Sequence, residues 1–234
     1  MKIKVVLMTF AVLTAMSCTN DSDVSYSCDQ MEDLWVKNNL QEIHSLDRMA
    51  WLDLPQKLQI PVYRAFSQEQ RISFWKDKLS EVLKLDWSQE EKNHILKVVD
   101  FIEMHPTFFC DGKLTDEQKD EADLFLYRWV TDAEEQLGWD DMICYAITCT
   151  GIPIKSKNGV IDMDYYLRES VEMLTESWEN EPVRECDCNQ GSMFSCTIIP
   201  IGAVAECKDT DCDEHKGCGF LWQFDCNGKC AYVP

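Results

Sequence analysis

Eight cysteines lie between residues 186 and 230: Cys186, Cys188, Cys196, Cys207, Cys212, Cys218, Cys226 and Cys230. They constrain this chain more than any other feature. A segment under about 50 residues cannot bury enough apolar surface to hold itself together. One this dense in cysteine is therefore read as stapled by disulfides, each contributing about 2–4 kcal/mol. That reading requires an oxidising compartment. Spacing does not choose the pairing. One local inference is available. Phe220 to Asp225 is strand-like, and Asn227-Gly228 is a strong hairpin signal. With those two residues as the loop, Cys226 sits opposite Lys229 and Asp225 opposite Cys230. Cys226 and Cys230 then project from opposite faces and pair with other cysteines. Cys186 and Cys188 share one strand face and likewise pair elsewhere.

Zinc is the competing use for such cysteines. Cys226-x3-Cys230 and Cys207-x4-Cys212, with His215 nearby, approach zinc spacing, but export favours disulfides, and no metal or other cofactor is assigned. The acidic run Asp209, Asp211, Asp213, Glu214 lacks the glycine and terminal glutamate of an EF-hand and is read as a surface loop.

The export signal is at the other end. In residues 1–17, Lys2 and Lys4 precede a 12-residue apolar run, Val5 to Met16, which is too short to span a bilayer and suits a signal peptide. Cys18 follows Thr14-Ala15-Met16-Ser17, a context resembling a lipobox, so lipidation at Cys18 is expected, with residues 18–27 as a lipidated tether. The alternative is ordinary cleavage, with Cys18 as a further disulfide partner. Several acyl chains on one cysteine anchor firmly. The expected location is therefore the outer membrane or cell surface. The chain holds 22 basic and 42 acidic residues, a net charge of −20 that becomes −22 once Lys2 and Lys4 are removed. Such acidity argues against nucleic acid as a partner. It argues equally against a mainly electrostatic grip on anionic lipid.

Residues 28–181 read as helices. Ser67-Gln68-Glu69-Gln70, Ser88-Gln89-Glu90-Glu91 and Thr115-Asp116-Glu117-Gln118 are capping boxes. An apolar stripe follows each: Ile72, Trp75, Leu79, Val82 and Leu83; then Ile95, Val98, Val99 and Ile102, stopped by Pro106; then Ala122, Phe125, Leu126, Trp129, Val130, Ala133 and Leu137, closed by Gly138. Shorter helices are predicted over 30–44, 46–53, 56–65, 141–149 and 162–178. The fold class is a mainly α helical domain followed by a small disulfide-rich β or irregular module over 186–234. Cys28, Cys110, Cys144 and Cys149 are candidates for two further disulfides. The tryptophans of the helical part are read as core.

The cysteine-rich end resembles the bacteriocin fulvocin C in Cys186-Asp187-Cys188, the eight-cysteine count, Gly217-Cys218-Gly219 with Trp222, Cys226-Asn227-Gly228 and Tyr232. The whole chain is similar to bacteriocin fulvocin C-related lipoproteins. Those join such a tail to a helical region with segments like Trp35-Val36, Pro61-Val62-Tyr63-Arg64-Ala65-Phe66 and Phe74-Trp75. The resemblance implies a role in bacterial antagonism.

No catalytic constellation is found. Glu91-x-x-His94 matches one arm of a di-iron bundle site, but those sites need two such arms, and a solvated helix face is the reading adopted. There is no nucleophile elbow and no phosphate loop. The expectation is a non-enzymatic protein that contacts an unknown protein or envelope target. A non-toxic adhesin or host/polymer-binding module is the alternative, and a secreted enzyme comes third. The stretch Thr197 to Ala205 is either the module's core or a docking patch. Residues 186–234 carry three lysines against seven acidic groups, a net of −4. Specific recognition is therefore expected rather than membrane attack, with Ile198, Ile199, Phe220 and Trp222 as the contacts.

Overall fold

The computed structural model describes residues 24–161, 186–194, 196 and 205–232. The signal-like run, Cys18, the 162–178 helix, Ile198 and Ile199 lie outside the described residues. Among the described residues eight α-helices come first: α1 (Gln30–Asn38), α2 (Leu40–Ile43), α3 (Arg48–Leu52), α4 (Gln56–Arg64), α5 (Gln68–Val82), α6 (Gln89–Met104), α7 (Asp116–Asp132) and α8 (Asp141–Thr148). Four short strands follow: β1 (Ala205–Lys208), β2 (His215–Cys218), β3 (Phe224–Cys226) and β4 (Lys229–Tyr232).

The long helices start where their caps dictate. The Ser67 hydroxyl accepts from the Gln70 N–H at 3.2 Å, while the Gln70 amide oxygen accepts from the Ser67 N–H at 3.1 Å. Ser88 with Glu91 and Thr115 with Gln118 repeat this exchange at the heads of α6 and α7. Each pair satisfies two backbone donors that a helix start otherwise leaves open. The carboxylates of Asp29, Asp47 and Asp140 cap α1, α3 and α8. After α7 the chain widens into a π turn, Ala133–Leu137, and Gly138 leaves it with φ +66° in the left-handed region.

The apolar stripes meet in one core. Trp75, Leu79, Ile95, Val98, Ile102 and Trp129 are buried there. His94 is buried too, a correction to the solvated face read at Glu91-x-x-His94. Its ring stacks on Trp129 at 4.8 Å, and its Nε2–H donates to the Trp129 carbonyl at 2.9 Å. Burial in turn depresses its basicity. Glu91 is used in the α6 cap and in an ion pair with Lys157 at 2.8 Å.

The cysteine-rich end enters the same core instead of standing apart. Phe220, Leu221 and Trp222 form a single tight turn and are buried among helices. The Trp222 ring lies 5.6 Å from Trp51, 5.0 Å from Tyr63, 5.8 Å from Phe74 and 5.4 Å from Trp75. Phe220 lies 5.3 Å from Phe101 and 5.6 Å from Phe125. Leu221 and Trp222 hold positive φ angles of 51° and 56°. That conformation costs bulky residues about 1–2 kcal/mol each, and burying each side chain offsets the cost with about 1.5–3 kcal/mol. Gly151 makes room for the wedge: a Cβ there would stand 2.5 Å from the Phe74 ring and 3.0 Å from Trp222.

The tail strands pair across the module. β1 runs antiparallel to β4 with Cys207 opposite Cys230, and β2 runs antiparallel to β3 with His215 opposite Cys226. The hairpin expected at Asn227-Gly228 is absent, because β3 and β4 join different sheets. Tertiary bonds replace it. The N–H groups of Asn227 and Gly228 both donate to the Cys188 carbonyl, and the Gly228 carbonyl accepts from Asp187 and Cys188. Four disulfides close the module: Cys186–Cys212, Cys188–Cys207, Cys196–Cys230 and Cys218–Cys226. Cys226 and Cys230 do pair with other cysteines, although the hairpin used to infer this does not form.

Candidate functional site

The seam between helices and tail opens into a cleft of about 440 Å³, a volume within the range of small-ligand sites. Tyr63 and Arg64 from the end of α4 and Arg71 from α5 form one wall. Asp111 and Lys113 approach from the loop before α7, and His215, Lys216 and Asp225 come from β2 and β3.

Four basic side chains, Arg64, Arg71, Lys113 and Lys216, line the cleft beside four carboxylates, Glu69, Asp111, Glu214 and Asp225. Arg71, 2 % exposed, donates to the carbonyls of Phe109 at 3.1 Å and Arg64 at 2.6 Å and pairs with Asp111 at 2.7 Å. Its buried Nε has no hydrogen-bond partner. Arg64 ties the tail to the helices. Its Nε donates to the Lys216 carbonyl at 2.5 Å and its Nη1 to the Tyr26 carbonyl at 2.9 Å. Lys216 Nζ donates to the Cys110 carbonyl at 2.7 Å. Burial, with Arg71 close by, lowers the Lys216 ammonium to about 8, against an opposing pull from Asp111 and Asp225.

A thiol and an imidazole meet beside the cleft. Cys28 Sγ lies 3.2 Å from His215 Nε2 and 4.0 Å from the Asp213 carbonyl. Cys28 immediately precedes Asp29, the cap of α1, and β2 brings His215 to it across 187 residues of sequence. Among the described residues, three cysteines carry thiols: Cys28, Cys144 and Cys149. Neither of the two extra disulfides expected among Cys28, Cys110, Cys144 and Cys149 is therefore made, and Cys110, which is disulfide-bonded, pairs outside that set. Cys144 and Cys149 are buried, and burial pushes each thiol up to about 12, where it is inert. Cys28 is half-buried.

The predicted contact residues fare differently. Phe220 and Trp222 are spent on the core, at 1 % and 8 % exposure, and present no face to a partner in this conformation. The sulfurs of Cys188, Cys196 and Cys207 come within 4.8 Å of one another, but all three are in disulfides and offer no thiolate to a metal. No local signal joined Cys28 to His215 or Arg71 to Lys216, because residues so far apart in sequence meet only when the tail docks.

No family model, curated protein or solved structure matches this chain. The arrangement supports two kinds of chemistry: binding of an acidic group against the seam cations, and thiol chemistry at Cys28.

Proposed function

We propose that the protein is an exported, lipid-anchored surface protein that acts by recognition, engaging an acidic group of an envelope target in the seam cleft. The observation that carries this reading is the buried Arg71 Nε without a partner, set in a wall shared with Arg64 and Lys216. A buried guanidinium donor left unmade is costly, and a carboxylate or phosphate oxygen would relieve it. Four disulfides in residues 186–230 fit an exported protein. No helix of the described residues is long and apolar enough to cross a membrane, and an acyl anchor at Cys18 would supply attachment instead. The likeness to fulvocin C-related lipoproteins makes competitor cells the natural target.

The test is binding and killing by the mature, oxidised protein on competing bacteria. Wild type should bind, and Lys113→Glu, which places a negative charge at the exposed rim of the cleft, should bind about tenfold more weakly. Equal binding by both proteins would remove the cleft from the reading. Binding without killing would favour the non-toxic adhesin. For the anchor, Cys18→Ser should leave the membrane fraction. A variant that stays in that fraction while Cys110 becomes open to alkylation would make Cys18 a disulfide partner.

A further inference from the structure

We infer that Cys28 and His215 form a reactive thiol–imidazole pair that exchanges with small disulfides, a covalent site distinct from acid recognition in the cleft. The geometry carries the inference. The Sγ–Nε2 separation of 3.2 Å is within reach of proton transfer from sulfur to imidazole. His215 lines the seam cleft, so the pair borders a space that a small disulfide enters. Cys28 is the thiol among the described residues that is not buried, while the tail cysteines are locked in disulfides. It also lies at the N-terminal end of α1, whose backbone dipole favours a thiolate. The charged groups on the elements framing the pair are Asp29, Asp213 and Asp225, Lys216, and the ion pair Lys113–Glu214 at 3.6 Å. These leave two negative charges in excess, which oppose a thiolate and favour an imidazolium, so the imidazole at 3.2 Å is the group that draws the proton from sulfur.

The exchange balances without any further reagent. The Cys28 proton passes to His215 Nε2, and the thiolate attacks one sulfur of the disulfide. A Cys28–S–S–R bond forms as the R–S–S–R′ bond breaks. The departing R′S⁻ takes the proton back from His215. One thiol and one disulfide enter, and one thiol and one mixed disulfide leave.

The experiment treats the mature, oxidised protein with oxidised glutathione and follows the intact mass, with insulin as a folded-protein disulfide for comparison. Wild type should gain one glutathionyl group that peptide mapping places on Cys28, and Cys28→Ser should gain none there. His215→Gln should react about tenfold more slowly at neutral pH, because it keeps a polar side chain but accepts no proton. The wild-type rate should be nearly flat between about pH 6 and 8, whereas an unassisted thiol rises about tenfold per pH unit below its ordinary value near 8.5. Failure of wild type to form the adduct, an equal rate in His215→Gln, or reaction with insulin alone would overturn the assignment. Should His215→Gln not fold, the wild-type pH profile decides: a tenfold rise per unit overturns it. Loss of acid binding with intact exchange leaves this site standing, and the reverse result leaves the cleft standing.

Discussion

The helical region and the cysteine-rich region solve the same stability problem by different means. In the helices, order is local. Caps satisfy the first turn, and a stripe of apolar residues then finds its partner stripe. In the tail, order is almost wholly non-local. The strands are three or four residues long, and the backbone bonds that matter join Cys188 to Asn227 and Gly228. Disulfides hold the tail's chain together, but its apolar side chains are buried against helices. The difference teaches that disulfides alone do not complete this tail. The helical core supplies what a segment of its size lacks, and the wedge Phe220–Trp222 is where it does so.

The largest expected effect comes from removing that wedge. Trp222→Ala should cost about 3–5 kcal/mol, the range for a fully packed aromatic. It removes ring contacts to Trp51, Tyr63, Phe74 and Trp75 and the indole N–H bond to the Cys149 carbonyl at 2.8 Å. Urea unfolding followed by far-UV circular dichroism for the helices, and by alkylation of Cys149 for the seam, should give one shared transition at a lower midpoint. Helical unfolding unchanged from wild type would mean that the two regions are independent after all.

Next in size are the staples. Opening Cys196–Cys230 by a double serine substitution should cost about 3–4 kcal/mol, and opening Cys218–Cys226 about 1 kcal/mol less. The sequence separations are 34 and 8 residues, so the first closes the larger loop of the unfolded chain. The measurement is the urea midpoint of each double variant. Equal losses would show that docking on the helices, rather than loop closure, sets the value of each bridge.

The same division explains what was legible in the sequence. Ser67, Ser88 and Thr115 announced three helices, because a capping box and a helical stripe are both short-range signals. The cysteine count announced the staples. The Asn227-Gly228 hairpin failed because turn propensity is a local preference of a kilocalorie or so, outweighed here by four backbone bonds to Asp187 and Cys188. Burial of His94 was hidden because a lone polar residue in a stripe does not declare its partner, here Trp129. The candidate site was the least legible part. Cys28 and His215 are 187 residues apart, and Arg71 and Lys216 are 145 apart, so nothing short of the docked tail brings them together.

A pH dependence sharpens the seam itself. The Lys216 ammonium titrates at about 8 in the folded protein and near 10.5 when unfolded. Below about pH 8 both states hold the proton, and the folded state bears the full cost of keeping the charge buried. Between about 8 and 10.5 the unfolded chain binds more protons, so stability rises with pH across that window. Wild type should therefore gain on Lys216→Met by about 1–2 kcal/mol between pH 7 and pH 10, after allowance for the lysine's partial exposure. Urea midpoints of both proteins at the two pH values measure it. A constant difference would mean that Lys216 leaves the seam in solution.

The smallest effect tests whether a purely local signal is felt by the non-local region. Thr115→Ala removes the hydroxyl that accepts from the Gln118 N–H at 3.2 Å, at the exposed start of α7. The cost of losing such a cap is about 1 kcal/mol. That bond lies within the head of α7 itself, yet α7 carries Phe125, whose ring lies 5.6 Å from Phe220. If helices and tail share one cooperative transition, the lower midpoint should appear equally in circular dichroism and in the alkylation of Cys149. A shift seen only by circular dichroism would mean that α7 frays by itself while the wedge stays seated. The coupling argued for Trp222 would then stop short of α7 and be confined to the aromatic cluster of α3, α4 and α5.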